Sequence, residues 1–254
     1  MAVHVTDDSG VRTVVLDRPD VRGAVDGEHA TLLREAFEEL DRREDLSIGV
    51  LTGSEGHFCA GADLKAVSSG AMPVYDPGEG PGPMGPTRLK LSKPVIAAVE
   101  GHAVAGGLEL AVWCDLRVAS ATAVFGVYCR RWGVPLIDGG TIRLARIVGQ
   151  GRAMDMVVTG RGVLADEALL MGLANRTAPE GQALAVAQAW AREIAALPQT
   201  CLRHDRLSLL EQWSLSEDAA IANEWEHGIA SLSEGLGGAQ QFVDGAGRHG
   251  STTS

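Results

Sequence analysis

The apolar stretch PVIAAVEGHAVAGGLELAVW, residues 94–113, constrains the fold more than any other part of this sequence. A run of about 20 apolar residues is long enough to span a membrane. This one contains Glu100, His102, Glu109 and glycines, which are costly against lipid. We therefore expect a strand followed by a helix in the core of a globular protein, with no membrane association.

Two segments of the chain pass through small residues and glycine into a predicted helix. They are FCAGADLKAV, residues 58–67, and HAVAGGLELAVW, residues 102–113. Each turn exposes main-chain N–H groups at a helix start, and two such turns can converge on one oxygen that gains negative charge. The alternative is that Gly61, Gly106 and Gly107 merely allow tight turns or close helix packing.

Glu109 is the charged residue that stands out in the second segment, because its predicted helix is apolar on every side. The helix dipole favours the carboxylate and desolvation favours the neutral acid, so the side chain is a candidate general acid or base. The alternative is a structural ion pair with an arginine such as Arg117.

Composition excludes several classes of partner. There are 22 Lys and Arg against 33 Asp and Glu, a net charge of −11, which opposes binding to nucleic acid. Four widely spaced cysteines and an N-terminus without a signal sequence indicate free thiols in a reducing cytoplasm. The histidines lack HxxxH spacing, so we expect no metal site.

The order of predicted elements indicates an α/β core. VHVT and VRTVVLD form a hairpin, a helix follows Asp26, and strands and helices alternate up to about residue 139. Residues 68–88 are rich in Gly and Pro and predict an irregular loop. The later residues are helical. We expect a core over 1–197 and a C-terminal helical subdomain over 198–254 that ends in a flexible tail, GAGRHGSTTS.

Several motifs, taken in order, resemble the crotonase family, the enoyl-CoA hydratase/isomerase superfamily. They are RPDVRGAVDGE, VLTGSEGHFCAGADLKAV and KPVIAAVEGHAVAGGLELAVWCDLRVAS, followed by DGGTIRLARIVG, AMDMVVTGR and ADEALLMGLANR. The resemblance implies a spiral of ββα units with a C-terminal helical region. It also implies assembly as a homotrimer or as a hexamer made of two trimers.

The resemblance assigns roles to individual positions. The oxyanion donors are the N–H groups of Ala62 and Gly106, and Glu109 matches one of the two acid/base glutamates of the hydratases. A side chain at Gly61 is expected to crowd the thioester. The CoA side is formed by Ala60, Asp63, Leu64 and Lys65, with Asp63 also a plausible N-cap. CoA enters with the substrate, so no separate cofactor is expected.

Three departures from the family pattern bear on the reaction. The second glutamate position falls on Cys129, and a thiol replaces a carboxylate poorly, so a buried filler is the simpler role. Asp138 either supplies the missing carboxylate or caps the next helix. Solvated or structural roles are the default for Arg130 and Arg131, and pairing with Asp138 or with an acidic acyl group is the alternative. The basic C-terminal ending of relatives is absent, which makes Arg22, Lys65 and Lys90 candidate phosphate contacts.

The expected activity is hydration of a trans-2-enoyl-CoA to a 3-hydroxyacyl-CoA. Isomerase, decarboxylase and thioester hydrolase chemistry in the same site are alternatives, because only one of the two hydratase glutamates is retained. A noncatalytic acyl-CoA binder that keeps the fold is an alternative from another class.

Overall fold

The computed structural model describes residues 3–245. Within that range the strands are β1 (Val3–Asp8), β2 (Val11–Leu16), β3 (Ile48–Gly53), β4 (Val95–Val99), β5 (His102–Val104), β6 (Leu116–Ser120), β7 (Val124–Gly126), β8 (Gly162–Leu164) and β9 (Arg176–Ala178). The α-helices are α1 (Gly27–Arg42), α2 (Leu64–Ser68), α3 (Gly106–Trp113), α4 (Gly140–Val148), α5 (Gln150–Thr159), α6 (Ala165–Leu170), α7 (Ala183–Ala195), α8 (Gln199–Glu211) and α9 (Glu217–Val243).

The strands form two sheets. The larger has the order β1-β2-β3-β4-β6-β9, in which β1 and β2 are the predicted antiparallel hairpin and the other pairs are parallel. The smaller has the order β5-β7-β8. The predicted α/β class is confirmed.

The chain winds as a spiral because successive strands alternate between the sheets. β4 and β6 join the larger sheet, whereas β5 and β7, which follow them, join the smaller one. Gly101 makes the corner between β4 and β5 with φ +50°, and a Cβ there would lie 2.3 Å from the Gly56 carbonyl oxygen. The corner therefore requires a residue without a side chain.

The core lies on the two faces of the larger sheet. The helix predicted from Asp26 is α1, whose first turn is capped by the Asp26 carboxylate accepting from the His29 N–H at 3.1 Å. Its buried side chains recur at helical spacing, and Leu33, Phe37 and Leu40 are fully buried. The small buried face of α7, formed by alanines, packs on the opposite side.

The Gly- and Pro-rich segment between α2 and the 3₁₀ helix Pro86–Arg88 holds no helix or strand, as predicted, apart from an isolated bridge between Gly82 and Gly85. Its path is nevertheless fixed by hydrogen bonds. The Arg88 guanidinium donates to the carbonyl oxygens of Tyr75, Gly80 and Pro81 at 2.9–3.1 Å. The segment can therefore serve as a wall for a neighbouring cavity.

By its internal contacts the chain divides into two units, the first ending at Ala195 and the second beginning at Ala196. The second contains α8 and α9, which contact each other through Glu234 and the N–H of Cys201 at 2.7 Å. The predicted boundary at 197/198 stays a prediction. Apart from Gly245, the predicted flexible tail lies outside the described residues. None of the helices described here has the length and apolar character that a membrane span needs.

Candidate active site

The two glycine turns lie side by side. Cys59 and Ala103 form a parallel bridge, in which the Cys59 N–H donates to His102 O at 2.8 Å and the Val104 N–H donates to Cys59 O at 3.0 Å. This pairing places the chain after Cys59 next to the chain before α3. The predicted convergence of the two segments is therefore built by a short extension of the smaller sheet.

Glycine is required where these segments approach most closely. Gly61 has φ +101°, and a Cβ there would lie 2.9 Å from both the Ala105 Cβ and the Gly106 nitrogen. A Cβ on Gly107 would lie 2.0 Å from the Cys59 carbonyl oxygen. A side chain at Gly61 would therefore clash first with the other segment, and the expectation that it would also crowd a thioester stays a prediction.

Two main-chain donors are left open at this junction. Val25 N–H donates to Gly61 O and Asp63 N–H to Val25 O, both at 2.8 Å, which leaves the Ala62 N–H between them. Within residues 3–245, neither this group nor the Gly106 N–H has a hydrogen-bond acceptor. Gly106 begins α3, where the helix dipole adds positive potential. Both residues line the same cavity.

Ala105, just before this donor, has a strained backbone. Its φ of +54° and ψ of −124° lie outside the regions that an L-residue ordinarily adopts. The hydrogen bond from its N–H to Gly126 O at 2.9 Å holds it there. Such strain costs roughly 1–3 kcal/mol and persists where the surrounding structure enforces it, often at functional sites.

Glu109 lies in the first turn of α3 and is 2% exposed. Its Oε1 atom accepts from the N–H groups of Asp138 and Gly140, both at 2.9 Å, whereas Oε2 has no partner among the described residues. Burial, helped by the charge of Asp138, raises the pKa of Glu109 to about 7, although the two N–H donors act in the other direction. The carboxyl is thus held in place and titrates near neutrality.

The alternative ion pair between Glu109 and Arg117 is wrong. Arg117 donates instead to main-chain oxygens, at 2.5 Å to Leu173 and at 2.7 Å to Cys114. Its guanidinium therefore ties together the end of α3 and the segment before β9. The Glu109 carboxyl therefore lines the cavity without Arg117 as a partner.

Asp138 is also buried at the cavity wall and does not cap α4, whose N-cap is Gly139 without a side-chain hydrogen bond. Its Oδ1 atom accepts from the Met84 N–H at 3.1 Å and from the Thr87 hydroxyl. Burial raises the pKa of Asp138 despite these donors. Of the two predicted roles, the structure excludes capping and brings the carboxyl to the site.

The predicted arginine partners of Asp138 lie elsewhere. Arg130 donates to Val157 O at 3.1 Å, and the Arg131 guanidinium stacks over the Tyr128 ring at 4.1 Å. Arg143, which the sequence did not single out, approaches instead and donates to the main-chain oxygen of Asp138 at 2.7 Å. It fixes the segment on which both carboxyl groups depend.

Cys129 lies in the 3₁₀ helix Tyr128–Trp132, is buried and lines the cavity. Burial raises the pKa of its thiol, and the nearby Glu109 charge raises it further. A neutral thiol is therefore the ground state, which fits the predicted filler. It contributes an apolar wall opposite Glu109.

The predicted CoA-side residues divide into two groups. Arg22, Ala60 and Leu64 line the cavity. Asp63 caps α2 by accepting from the Lys65 N–H at 3.0 Å, as predicted, and lies 3.5 Å from Arg18. Neither Asp63 nor Lys65 is among the described residues that line the cavity.

Sequence reasoning missed several positioning residues. Thr87 and Met84 hold Asp138, and Gly140 allows Glu109 to approach α4, since a Cβ there would lie 2.7 Å from the Glu109 Cγ. His102 also lines the cavity, with its ring 6.0 Å from that of His57, and burial lowers its pKa. The available signal was the glycine pair that follows Asp138 at the start of the predicted helix.

Comparisons with known proteins agree with this geometry. Residues 6–230 match the family model described as enoyl-CoA hydratase/isomerase. Enoyl-CoA hydratase EchA19 of Mycobacterium tuberculosis is 35% identical over 225 residues, which cover 85% of this chain and 83% of the relative. Carnitinyl-CoA dehydratase of Proteus mirabilis is 36% identical over 196 residues, with 76% and 74% covered.

A solved structure has the same fold. The crystal structure of enoyl-CoA hydratase EchA1 from Mycobacterium marinum superposes with a TM-score of 0.90 at 32% identity and covers 96% of each chain. This likeness confirms the predicted spiral of ββα units with its C-terminal helical region.

Proposed function

Because the chain belongs to the enoyl-CoA hydratase/isomerase family, as its motifs predicted, we propose that it is an enoyl-CoA hydratase. The reaction adds water to a trans-2-enoyl-CoA and forms a 3-hydroxyacyl-CoA. The observation that carries this proposal is the meeting, in one cavity, of two unpaired main-chain donors and a buried carboxyl that titrates near neutrality.

The thioester carbonyl oxygen accepts hydrogen bonds from the N–H groups of Ala62 and Gly106. These donors stabilise the enolate that forms when water adds to Cβ. Loss of one such donor costs about 3–4 kcal/mol of transition-state stabilisation in enzymes that use them. Both donors belong to segments that are hydrogen-bonded to each other, so their separation does not depend on the substrate.

Glu109 acts first as the general base and then as the general acid. Its free Oε2 accepts a proton from water as the water oxygen bonds to Cβ, and the resulting acid returns a proton to Cα. Cβ then carries the hydroxyl group, Cα carries the added proton, and Glu109 is again ionised. A pKa of about 7 suits both steps at neutral pH, because the group is a competent base and a competent acid.

Asp138 serves as the second carboxyl of the site in place of the residue at 129. Its charge raises the pKa of Glu109, and its Oδ2 atom has no partner among the described residues. The main-chain N–H of Asp138 also orients Glu109. Asp138 therefore sets the pKa and the orientation of Glu109, and its Oδ2 atom is available to accept a hydrogen bond from a water molecule.

Arg22, Ala60 and Leu64 receive the CoA portion, because they line the cavity next to the first donor. Arg22 supplies positive charge for a phosphate. Lys65, the second residue of the exposed helix α2, is a further phosphate contact. CoA arrives with the acyl group, so no separate cofactor takes part in the reaction.

The test is hydration in ¹⁸O-labelled water. Purified protein is given a trans-2-enoyl-CoA, and mass spectrometry follows label at C3 while loss of enoyl absorbance gives the rate. We expect labelled 3-hydroxyacyl-CoA and a loss of about 10²–10⁴-fold in kcat for Glu109→Gln. Unlabelled product with a moved double bond, or turnover equal in the variant, would refute the assignment.

We also propose a homotrimer or hexamer in the cytoplasm. Helices α8 and α9 and the 3₁₀ helix Gln212–Ser214 between them expose large apolar side chains, which are Leu209, Leu210, Trp213, Ile221, Trp225, Leu232 and Leu236. Apolar surface of this extent usually meets another protein surface. Light scattering should give a mass three or six times 26.6 kDa, and a monomer at micromolar concentration would contradict it. The free cysteines suit a reducing compartment.

A further inference from the structure

In addition to the glycine turns and the two carboxyl groups, the cavity is lined by apolar side chains, which we call the chamber. They include Met72, Met84, Val134 and Pro135. Met72 and Met84 are buried, and Met72 lies in the loop that Arg88 fixes in place. Methionine side chains adapt to the shape of an apolar ligand, so this wall favours hydrocarbon contact.

The rim of the chamber is apolar as well. Val67 and Val74 come from one segment of the chain and Trp132 and Ile137 from another, and all four are exposed. Trp132 is 73% exposed and Val74 is 65% exposed. Large apolar side chains that converge on one opening from separate segments mark a binding surface. Their continuity with the acid/base site makes the acyl group of the substrate the occupant.

The charged groups at the chamber do not suit a charged acyl group. Arg131 is stacked on Tyr128, and Arg143 donates to main-chain oxygens of Asp138 and Thr87, both at 2.7 Å. Arg22 lies at the first glycine turn, where its carbonyl oxygen accepts from the Ala60 N–H at 3.0 Å. Among the described residues that line the cavity, the only arginines are Arg22, assigned above to a CoA phosphate, and Arg131, so an acyl carboxylate would meet Glu109 and Asp138 without a cation of its own.

The cavity measures about 690 Å³, within the range of roughly 300–1,000 Å³ that encloses drug-sized ligands. Part of this volume receives the CoA portion beside Arg22, Ala60 and Leu64, but a four-carbon acyl group cannot contact all the other apolar side chains of the lining at once. We infer that this site selects an uncharged, apolar acyl group of about eight carbons or more. The inference rests on the proposed function, because it names the substrate class of the same site.

Binding and turnover test this inference separately. Butyryl-CoA and decanoyl-CoA are saturated and cannot be hydrated, so calorimetry with them reports acyl-group selection alone. Burial of one methylene is worth about fourfold in affinity, so decanoyl-CoA should bind at least 100-fold more tightly. The kcat/KM for trans-2-decenoyl-CoA should exceed those for crotonyl-CoA and the anionic glutaconyl-CoA by a similar factor.

The outcomes are distinguishable. Tight decanoyl-CoA binding without hydration of any enoyl-CoA would support the inference and overturn the hydratase assignment. Hydration with crotonyl-CoA or glutaconyl-CoA preferred would leave the hydratase assignment intact and overturn the inference. Equal affinity for butyryl-CoA and decanoyl-CoA would also overturn it.

Substitutions at exposed residues of the cavity lining test whether these residues cause the preference for a long acyl group. Val74→Asp and Trp132→Asp place a charge on exposed lining positions in two separate segments, so neither disturbs the core. Each should lower kcat/KM for decenoyl-CoA at least tenfold and that for crotonyl-CoA less than twofold. Val158→Asp, on an exposed position of α5 outside the cavity wall, is the matched control and should change neither. Equal losses for both substrates would refute the chamber's role.

Discussion

Gly140 provides the sharpest test of how Glu109 is positioned. It is the first residue of α4, and its N–H donates to the Glu109 Oε1 at 2.9 Å. A Cβ in Gly140→Ala would lie 2.7 Å from the Glu109 Cγ, whereas ordinary contact begins at 3.4 Å. The carboxyl must therefore move by roughly 0.7 Å, or α4 must move away from it.

The expected effect is large on catalysis and small on folding. Displacement of a catalytic group by about 1 Å can cost on the order of 100-fold, so kcat should fall by roughly 30- to 100-fold. Alanine is favoured over glycine in a helix by about 1 kcal/mol, which offsets part of the overpacking cost of about 1–3 kcal/mol. Stability should therefore drop by no more than about 2 kcal/mol.

Steady-state hydration of one enoyl-CoA and a urea melt would measure both quantities. Gly151→Ala is the matched control, because Gly151 lies in the first turn of α5 and a Cβ there meets nothing within 4 Å. The control should keep wild-type kcat. The positioning argument is refuted if Gly140→Ala hydrates at the wild-type rate, or if both variants lose activity equally.

Four further predictions follow from the same geometry. Wild-type kcat/KM should rise with pH and level off above about 7, because Glu109 must be ionised to take a proton from water; a pH–rate profile that breaks near 4.5 would contradict this. Asp138→Asn should move that break to lower pH, because it removes a charge that raises the Glu109 pKa; an unmoved break would exclude the coupling. In urea melts, wild type should lose up to about 3 kcal/mol between pH 4.5 and 7, since the folded pKa lies above the unfolded one, whereas Glu109→Gln should lack this loss. Gly61→Ala should lower kcat by about 10²–10³-fold, whereas Gly56→Ala, also at positive φ but with nothing within 4 Å, should keep activity if the clash with Gly106 is the cause.

The fold was largely predictable because its signals are local. Runs of β-branched residues on either side of DDSG marked the β1–β2 hairpin, and Asp26 with Leu33, Phe37 and Leu40 marked α1. The buried carboxyl of Glu109 was also predictable, because nothing polar surrounds it in sequence. Such features depend on neighbours within a few positions along the chain.

What the sequence did not reveal depends on contacts between distant segments. The donors to Asp138 come from residues 51 and 54 positions earlier in the chain, Thr87 and Met84, in a loop whose path has no periodic signal. The reason for Gly61 lies in Ala105 and Gly106, 44 and 45 positions later. Asp138 could be interpreted as a cap because an Asp before a helix usually is one.

The short segment from Ile137 to Gly140 contributes both to the cavity lining and to the orientation of Glu109. Ile137 lines the cavity in which we place the acyl group. The N–H of the next residue, Asp138, donates to Glu109 and orients its carboxyl group. Any shift of this segment that widens the opening for a different substrate will also retune the acidity of Glu109. Redesign of the acyl preference should therefore begin at Val67 and Val74, which line the cavity but lie outside the segment that donates to Glu109. Substitutions there should leave the pKa and the orientation of Glu109 unchanged.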